Sequence, residues 1–599
     1  MQFALDPPSS SSKLSVSKAL KFVVLRTHPS QFQLPIRTHN FLISQRQIQI
    51  RTRSSMGVVR GVILDESALL TEGGGDKNGF ILRPGAESLI QTLSLSKIHI
   101  GISYDVNSPD DKVSVLQSAS SYPFDCFILN DPTSEIMPAW SINTDGGIVY
   151  LVSNKKEVLP KLSSYKWLLV VLNDGDETLY YTTDALRIQN LAEFPLTMCQ
   201  LNKSSTGTNA ATVGYIMKPS RVEDFAMRGA FPLCPTQNGL MFVPLTPMLP
   251  LSTQLKDVDI VLHKATDEIL SIEDNKITFM DSIQELQRYL ELHQDLCVID
   301  PLKNIYPLLD RLEIQQILRG LEELNKEGSH LIRGAHFLKI DNFEEFNFET
   351  GLAEARLSLP CIVKPKVACG VSDAHKMAIV FRVDDFKNVN VPLPAVIQEY
   401  VDHSSTLYKF YVLGEKVFHA VKKSIPNADV LKKSSNGAEL KPIEFDSLKS
   451  LPTASGDCSM TSRESIDVKL VTDAANWLRR RLQLTIFGFD VVIQEGTQDH
   501  VIVDVNYLPS FKEVPHEISI PAFWESIRDY QSLQIIVQKL TSFKERVKRR
   551  LWLSCYDCFH MNDYEEGGAA ASTRISPCST DLKLTRFQLH VWIPGKASS

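Results

Sequence analysis

The stretch Gly488-Phe-Asp-Val-Val-Ile-Gln-Glu-Gly-Thr-Gln-Asp-His-Val-Ile-Val-Asp-Val-Asn-Tyr-Leu-Pro-Ser-Phe-Lys512 decides the reading of this chain. Two apolar runs, Val491 to Ile493 and Val501 to Val505, flank a polar turn around Gly496, the pattern of a β-hairpin. Side chains alternate across a sheet, so Asp504 and Asn506 share a face, and hairpin pairing brings Asp490 alongside. Two adjacent carboxylates repel unless a cation sits between them, and hard oxygen donors of this kind suit Mg²⁺ with nucleotide phosphates completing its shell. The alternative is a hairpin with solvated acids at its ends. Strand-embedded Asp without a partner is unusual, and the sequence on either side decides between the two.

Immediately upstream, Ile466, Leu470, Ala474, Trp477, Leu478 and Leu482 mark one face of a helix, preceded by a Ser-, Gly- and Pro-rich stretch, Leu431 to Ser462, expected to be loop. Leu407 to Lys423 reads as a hairpin about Leu-Gly-Glu, with Lys409 on the face opposite Tyr408 and Phe410. Pro394 to Val401 is a further strand, whose Gln398 and Glu399 can serve a nucleotide base and ribose. Residues 359 to 364 form a strand ending in Lys364, and a small-residue loop with Gly370 and His375 precedes the strand Met377 to Phe381. Such a loop can fold over phosphates and offer them backbone N–H groups. Leu312, Ile314, Ile317, Leu318 and Leu321 indicate a helix before it. Nearer the N-terminus, strands at Ala211 and Val258 lead into turns carrying Lys218, Arg221 and Lys264. Each alone reads as a surface charge, but together, at strand-to-helix turns, they favour anions.

Residues 57 to 206 alternate strands and helices: Val58 to Leu64 ends at Asp65, Ile98 to Ile102 at Ser103, and Trp167 to Leu172 at Asn173 and Asp174. Polar residues at the carboxyl ends of strands mark the site edge of an open α/β sheet. The layout resembles the haloacid-dehalogenase-like fold, which implies Asp65 at its nucleophile position, Ser103 at its second motif, Lys155 or Lys156 at its third, and Asp174 with Asp176 at its fourth. The second acid of that fold, two residues after the nucleophile, is Ser67 here. The domain is therefore expected to be a degenerate, structural or regulatory relative.

At 599 residues the chain exceeds one core, and 43% hydrophobic with 22% charged residues is the composition of a globular protein. No apolar run approaches the roughly 18 residues that span a bilayer. The 10 cysteines are scattered, as in a reduced intracellular protein. The net charge of -7 is uneven: residues 1 to 55 hold eight Lys or Arg against Asp6, so the remainder stands at -14. An acidic body argues against nucleic-acid binding and predicts that a polyanionic ligand is met by a local basic cluster. The basic, Ser-rich extension 1–56 reads as a transit peptide or a misassigned start before Met56. The tail 531–599 is expected to be disordered, and its Cys555-x-x-Cys-x-His lacks a fourth ligand for zinc.

Taken together, residues 210 to 530 resemble the inositol 1,3,4-trisphosphate 5/6-kinases, inositol polyphosphate kinases of the ATP-grasp fold. The resemblance rests on His-Lys-Ala-Thr-Asp at 263, Asp-Pro and Leu-Leu-Asp-Arg at 300 to 311, Ile-Val-Lys-Pro at 362, Gly370 to His375, Gln-Glu-Tyr-Val-Asp-His at 398, Leu-Tyr-Lys-Phe-Tyr-Val at 407, Phe-Gly-Phe-Asp at 487 and Asp-Val-Asn-Tyr-Leu-Pro-Ser at 504. Together with the front domain it points to a divergent plant branch. It implies an α/β and α+β multidomain protein with a first kinase lobe over 207–310 and an ATP-grasp domain over 311–530. It implies two Mg²⁺ ions on Asp490, Asp504 and Asn506, and ATP as co-substrate held by Arg311, Lys364, Gln398, Glu399, Val401 and Lys423. It gives the inositol tris- or tetrakisphosphate to Lys218, Arg221, Lys264, Gly370, His375, Lys409, Asn506, Ser510 and Lys512, and catalytic roles to Lys364, His375 and Asp504. Cys369 and Ser510 depart from the residues expected there, which bears on isomer preference. The implied protein is a monomer of the cytoplasm or nucleus without membrane partners, in an organelle only if the leader is used. Two rivals remain: an ATP-grasp carboxylate-amine ligase, and an inositol phosphate sensor without turnover.

Overall fold

The computed structural model describes residues 58–73, 79–128, 147–155, 167–174, 185–206, 210–273, 276–325, 330–433, 441–453 and 466–561, with side chains to 547. The extension 1–56, Lys156, Asp176, the Cys555 motif's side chains and residues 562–599 lie outside the described set.

Six strands build the first sheet: β1 (Val59–Asp65), β2 (His99–Tyr104), β3 (Asp125–Ile128), β4 (Gly147–Ser153), β5 (Leu168–Leu172) and β6 (Leu186–Ile188), all parallel in the order β3-β2-β1-β4-β5-β6. Central strands buried on both faces read as unbroken apolar runs, as in Val-Ile-Leu of β1 and Val-Tyr-Leu-Val of β4. β4 is a strand that the sequence reading did not name. Helices α1 (Ala86–Leu95), α2 (Asp110–Gln117) and α3 (Phe194–Thr206) accompany the sheet.

The next sheet is also parallel, in the order β8-β7-β9-β10, from β7 (Ala211–Ile216), β8 (Leu240–Pro244), β9 (Ile260–His263) and β10 (Cys297–Ile299), with helix α4 (Pro219–Met227) after β7. Phe225, Phe231, Phe242, Phe511 and Phe523 are all essentially inaccessible and pack against one another, with ring centroids of neighbouring pairs 5.3–6.4 Å apart. Burying each such ring contributes about 1.5–3 kcal/mol, so this lobe is fastened to the C-terminal segment that contributes Phe511 and Phe523.

Helix α5 (Arg311–Leu318), capped by Asp310, opens the remainder. Two five-stranded sheets follow. One runs β12-β15-β13-β14-β18, from β12 (Phe337–Ile340), β13 (Cys361–Pro365), β14 (Lys376–Val380), β15 (Ala395–Glu399) and β18 (Ile443–Asp446), antiparallel throughout. The other runs β11-β20-β19-β16-β17, from β11 (Ile332–Gly334), β16 (Thr406–Leu413), β17 (Lys416–Lys423), β19 (Ile486–Ile493) and β20 (His500–Tyr507). Helix α6 (Val468–Leu482) buries Val471, Ala474, Ala475, Leu478 and Leu482, the expected face in large part.

Two expectations need correction. Part of Leu431 to Ser462 has regular structure: a helix Ala428–Lys433 runs into its first three residues, and Ile443–Asp446 adds the edge strand β18 to β14. Four residues of alternation inside a polar stretch gave little signal. The tail from 531 is not irregular at its start, because α7 runs from His516 to Met561. The sequence from Trp524 has no Gly or Pro before Gly567, and good helix formers fill it.

Candidate active site

The opening stretch folds as the hairpin β19–β20, with Asp490 directly opposite Asp504 and Gly488 opposite Asn506. The ladder shifts between Asp490 and Val491, leaving Val503 as an extra residue on β20, a bulge of the kind that re-aims side chains. Gly488 is required by close approach: a Cβ there would lie 2.8 Å from the Phe410 carbonyl and 3.0 Å from Pro509. Asn506 donates from Nδ2 to Asp504 Oδ2 at 2.8 Å. Lys409, opposite Asp490 on β16, lies 3.4 Å from its carboxylate. Burial pushes Asp490 up to about 6; Lys409 opposes this and Asp504 adds to it.

These residues line a cleft of about 520 Å³ whose walls also carry Arg221, Lys264, Arg311, Lys364, His375, Ser510 and Lys512. Lys364, at the end of β13, is brought down to about 8 by burial, with Asp504 and Asp490 pulling the other way and Arg311 adding to the fall. Lys264 is likewise brought down to about 8 by burial; Asp267 opposes the shift and Arg221 reinforces it. Its Nζ donates to the Tyr507 carbonyl, tying the first lobe to the residue after Asn506. Arg221 is 3.3 Å from Asp267. His375 Nδ1 lies 3.2 Å from Ser447 Oγ, and burial and Arg311 hold the ring below the ordinary histidine range.

The loop after β13 owes its shape to Arg311. Its guanidinium donates to the carbonyls of Pro365 (2.7 Å), Val367 (2.6 Å), Ala368 (3.2 Å) and Ala374 (3.0 Å). Gly370 adopts φ +88°, and a Cβ there would lie 2.6 Å from Ile269 of the first lobe, so the loop tip sits directly on that lobe. Apolar Ile362, Met377, Leu407 and Val503 line the cleft beside the polar set, a surface suited to a flat aromatic base.

Several expected residues stand elsewhere. Lys423 is exposed, paired with Thr406, whereas Lys422, paired with Leu407, lines the cleft: strand alternation puts neighbours on opposite faces. The Glu399 carboxylate is gripped by both terminal nitrogens of Arg333, at 2.7 and 2.8 Å, so its side chain is spent inside the fold. Gln398 and Val401 are buried next to it, Lys218 is exposed at the start of α4, and neither they nor Gly370 line the cleft. Sequence reasoning missed Lys422, Ser424, Ser447, Tyr411 and Glu513. Glu513 takes an ion pair from Lys422 and a hydrogen bond from Tyr411 at 2.5 Å; against the upward push of burial these hold it down to about 2. The alternation of β17 could have singled out Lys422, and that of β16 Tyr411, two residues on from Lys409; nothing local marks the others.

Comparison with known proteins agrees along the chain. Residues 56–204 match the family "ITPK4, N-terminal HAD-like domain", 212–305 the "Inositol 1,3,4-trisphosphate 5/6-kinase pre-ATP-grasp domain" and 332–524 the "Inositol 1,3,4-trisphosphate 5/6-kinase ATP-grasp domain". Inositol-tetrakisphosphate 1-kinase 6 of Oryza sativa subsp. japonica is 44% identical over 512 residues, covering 82% of this chain and 92% of the rice protein. Inositol-tetrakisphosphate 1-kinase of Danio rerio is 28% identical over 313 residues, 51% of this chain and 75% of that one. Among solved structures, the D-alanine–D-alanine ligase of Bacillus anthracis complexed with ATP is 18% identical with a TM-score of 0.33, covering 55% of this chain and all of the ligase. The carboxylate-amine ligase reading is set aside, since the rice relative at 44% identity is named a kinase and the matching family models are those of inositol phosphate kinases. The chain belongs to the inositol 1,3,4-trisphosphate 5/6-kinase family and is an ATP-dependent inositol polyphosphate kinase built on an ATP-grasp fold behind a haloacid-dehalogenase-like domain.

Proposed function

We propose that the chain phosphorylates a free hydroxyl of an inositol tris- or tetrakisphosphate, as a 1,3,4-trisphosphate 5/6-kinase and 3,4,5,6-tetrakisphosphate 1-kinase, with the cleft residues in the following roles. The observation that carries the reading is the sorting of charge within one cleft: Asp490, Asp504 and Asn506 on one hairpin, with Lys364, Lys264, Arg221, Lys409 and Lys512 around them. An acidic body with one basic cleft suits small polyanions rather than a polymer.

Asp490 and Asp504, in register and with one of them destabilised as a carboxylate by burial, fit a divalent cation, and Asn506 adds an amide. Two Mg²⁺ ions are the expectation. Bound there, magnesium offsets charge on the β- and γ-phosphates of ATP. Lys364 and the loop held by Arg311 orient the phosphates for in-line approach. The apolar Ile362, Met377, Leu407 and Val503 hold the base. Arg221, Lys264, Lys409 and Lys512 bind the phosphates of the inositol, and Lys422 is added to that set.

As the acceptor oxygen bonds to phosphorus, the bond from the γ-phosphorus to the β–γ bridging oxygen breaks, ADP leaves, and the hydroxyl proton must go. His375, whose ring is held below the ordinary histidine range by burial and Arg311, is the residue proposed to take it, through Nε2 in the tautomer whose Nδ1–H donates to Ser447 Oγ. The same contacts serve the reverse step from ADP, so isomers interconvert by transfer out and back. The free thiols of Cys126, Cys199, Cys234, Cys297, Cys361 and Cys369 suit a reducing compartment, cytoplasm or nucleus, and the chain is taken to act as a monomer. Among the described residues no helix is long and apolar enough to cross a membrane.

Incubation with Mg²⁺, ATP and a panel of inositol tris- and tetrakisphosphates, followed by anion-exchange separation, tests the assignment. A more highly charged product from the 1,3,4-tris- or 3,4,5,6-tetrakisphosphate is expected. Saturable binding of every isomer without a product would replace it with the sensor.

A further inference from the structure

The N-terminal sheet carries an acid where its fold relatives carry a nucleophile, yet that acid is tied up. One Asp65 oxygen accepts from Ser67 N at 3.0 Å and Ser67 Oγ at 2.7 Å; the other accepts from Tyr150 Oη at 2.5 Å and Ser103 Oγ at 3.1 Å. Asp65 and Tyr150 are both inaccessible, and burial together with the Asp65 charge pushes the phenol far above its ordinary pKa, so it stays a donor. A carboxylate that attacks phosphorus needs one oxygen open to substrate. Here both are committed, and Ser67 stands where a second acid would act.

The same domain is welded to the kinase. One continuous apolar core runs from β1 and α1 through α3 into β7, β8 and β9 and on to β19. Asn202 on α3 accepts from Val59 N at 2.8 Å and donates to the Leu233 carbonyl at 3.1 Å, while Cys234 Sγ donates to the Val59 carbonyl at 3.0 Å. Lys203 pairs with Asp259 at 2.6 Å. The junction converges on helix α4, whose first turn holds Arg221. Tyr122, in the turn before β3, donates to Glu223 of α4 at 2.7 Å, and Gln91 of α1 hydrogen-bonds the same hydroxyl. Lys97 lies against Gly229 just past the helix, where a Cβ would meet its Nζ at 3.0 Å. On its other side α4 puts Phe225 edge-on to Phe511, at 5.3 Å between centroids, and Phe511 sits between Ser510 and Lys512 of the cleft. Helix α4 is thus clamped between the N-terminal domain and the loop that closes the cleft.

We infer that the N-terminal domain acts as a positioning element for the kinase: through Gln91 and Tyr122 it fixes α4, and with it Arg221 and the Phe511 loop, in the register that receives the inositol phosphate. The inference rests on the reading of Arg221 as a substrate contact. Tyr122 and Gln91 touch no substrate and act only through Glu223, so the signature is a change in KM for one substrate alone.

In the full chain, Gln91→Ala/Tyr122→Phe is compared with Arg221→Ala, using inositol 3,4,5,6-tetrakisphosphate and ATP. Loss of the paired contacts should raise KM for the inositol phosphate about three- to tenfold, leave KM for ATP and kcat within about twofold, and speed amide exchange over residues 219–227. An unchanged KM in the double variant, with a raised KM in Arg221→Ala, would overturn the positioning role and leave the kinase site intact. An unchanged KM in Arg221→Ala would overturn the substrate contact on which the inference stands. Hydrolysis of p-nitrophenyl phosphate by the wild type that vanishes in Asp65→Asn would show the domain to be a hydrolase and also overturn it.

Discussion

Lys264 and Lys364 show how single residues set the working range of the cleft. Both are brought down to about 8 by burial, so each is cationic at neutral pH and loses its charge as pH rises through 8. Bound phosphates favour the charged form and move both values up. The free-enzyme profile of kcat/KM should therefore fall above about pH 8, before kcat does; steady-state kinetics that stay flat to about pH 9.5 would deny these lysines a charged role. Arg311 makes a different prediction. With four bonds to loop carbonyls it cannot grip a phosphate with its whole fork, so Arg311→Lys should cut kcat/KM for ATP roughly ten- to hundredfold. Amide exchange over 365–375 should rise with it, and kinetics without that rise would mean a direct phosphate contact instead. Asp490, Asp504, Asn506 and Lys364 were legible in the sequence because strand alternation and an unusual residue type coincide. Lys422 was not: with Lys423 beside it, a one-residue choice of register decides which enters the cleft.

At the level of elements, the hairpin carries the design. Gly488 lets β16 and the Pro509 turn close on β19, opposite Asn506. Gly488→Ala should displace that strand pair, lowering stability by about 1–3 kcal/mol and activity by more than the loss of folded protein explains; chemical denaturation read beside activity measures both. Equal losses would make the glycine a purely structural need. The long strands and α6 could be read from periodicity. β18 could not, being four residues whose only warrant is pairing with β14, and Glu399 was misjudged because its partner Arg333 is 66 residues away. Such long-range satisfaction leaves no local trace.

For the whole molecule, the kinase repertoire was visible as the order and spacing of motifs over 210–530, and the domain in front as strands ending in polar residues. Their union was not visible. The shared core and the Asn202 bridge join segments far apart in sequence, and the Asp65 knot depends on Tyr150, 85 residues further along the chain. The proposed transfer takes place in one cleft walled by both five-stranded sheets, with Asp490, Asp504 and Asn506 at its centre. The most direct test follows γ-labelled phosphate from ATP to inositol 3,4,5,6-tetrakisphosphate in the wild type and in Asp504→Ala, after a melting curve has shown both to be folded. Label should pass to the inositol phosphate in the wild type and fall at least about a hundredfold in the variant; transfer at an equal rate in the two would contradict the assignment of the site.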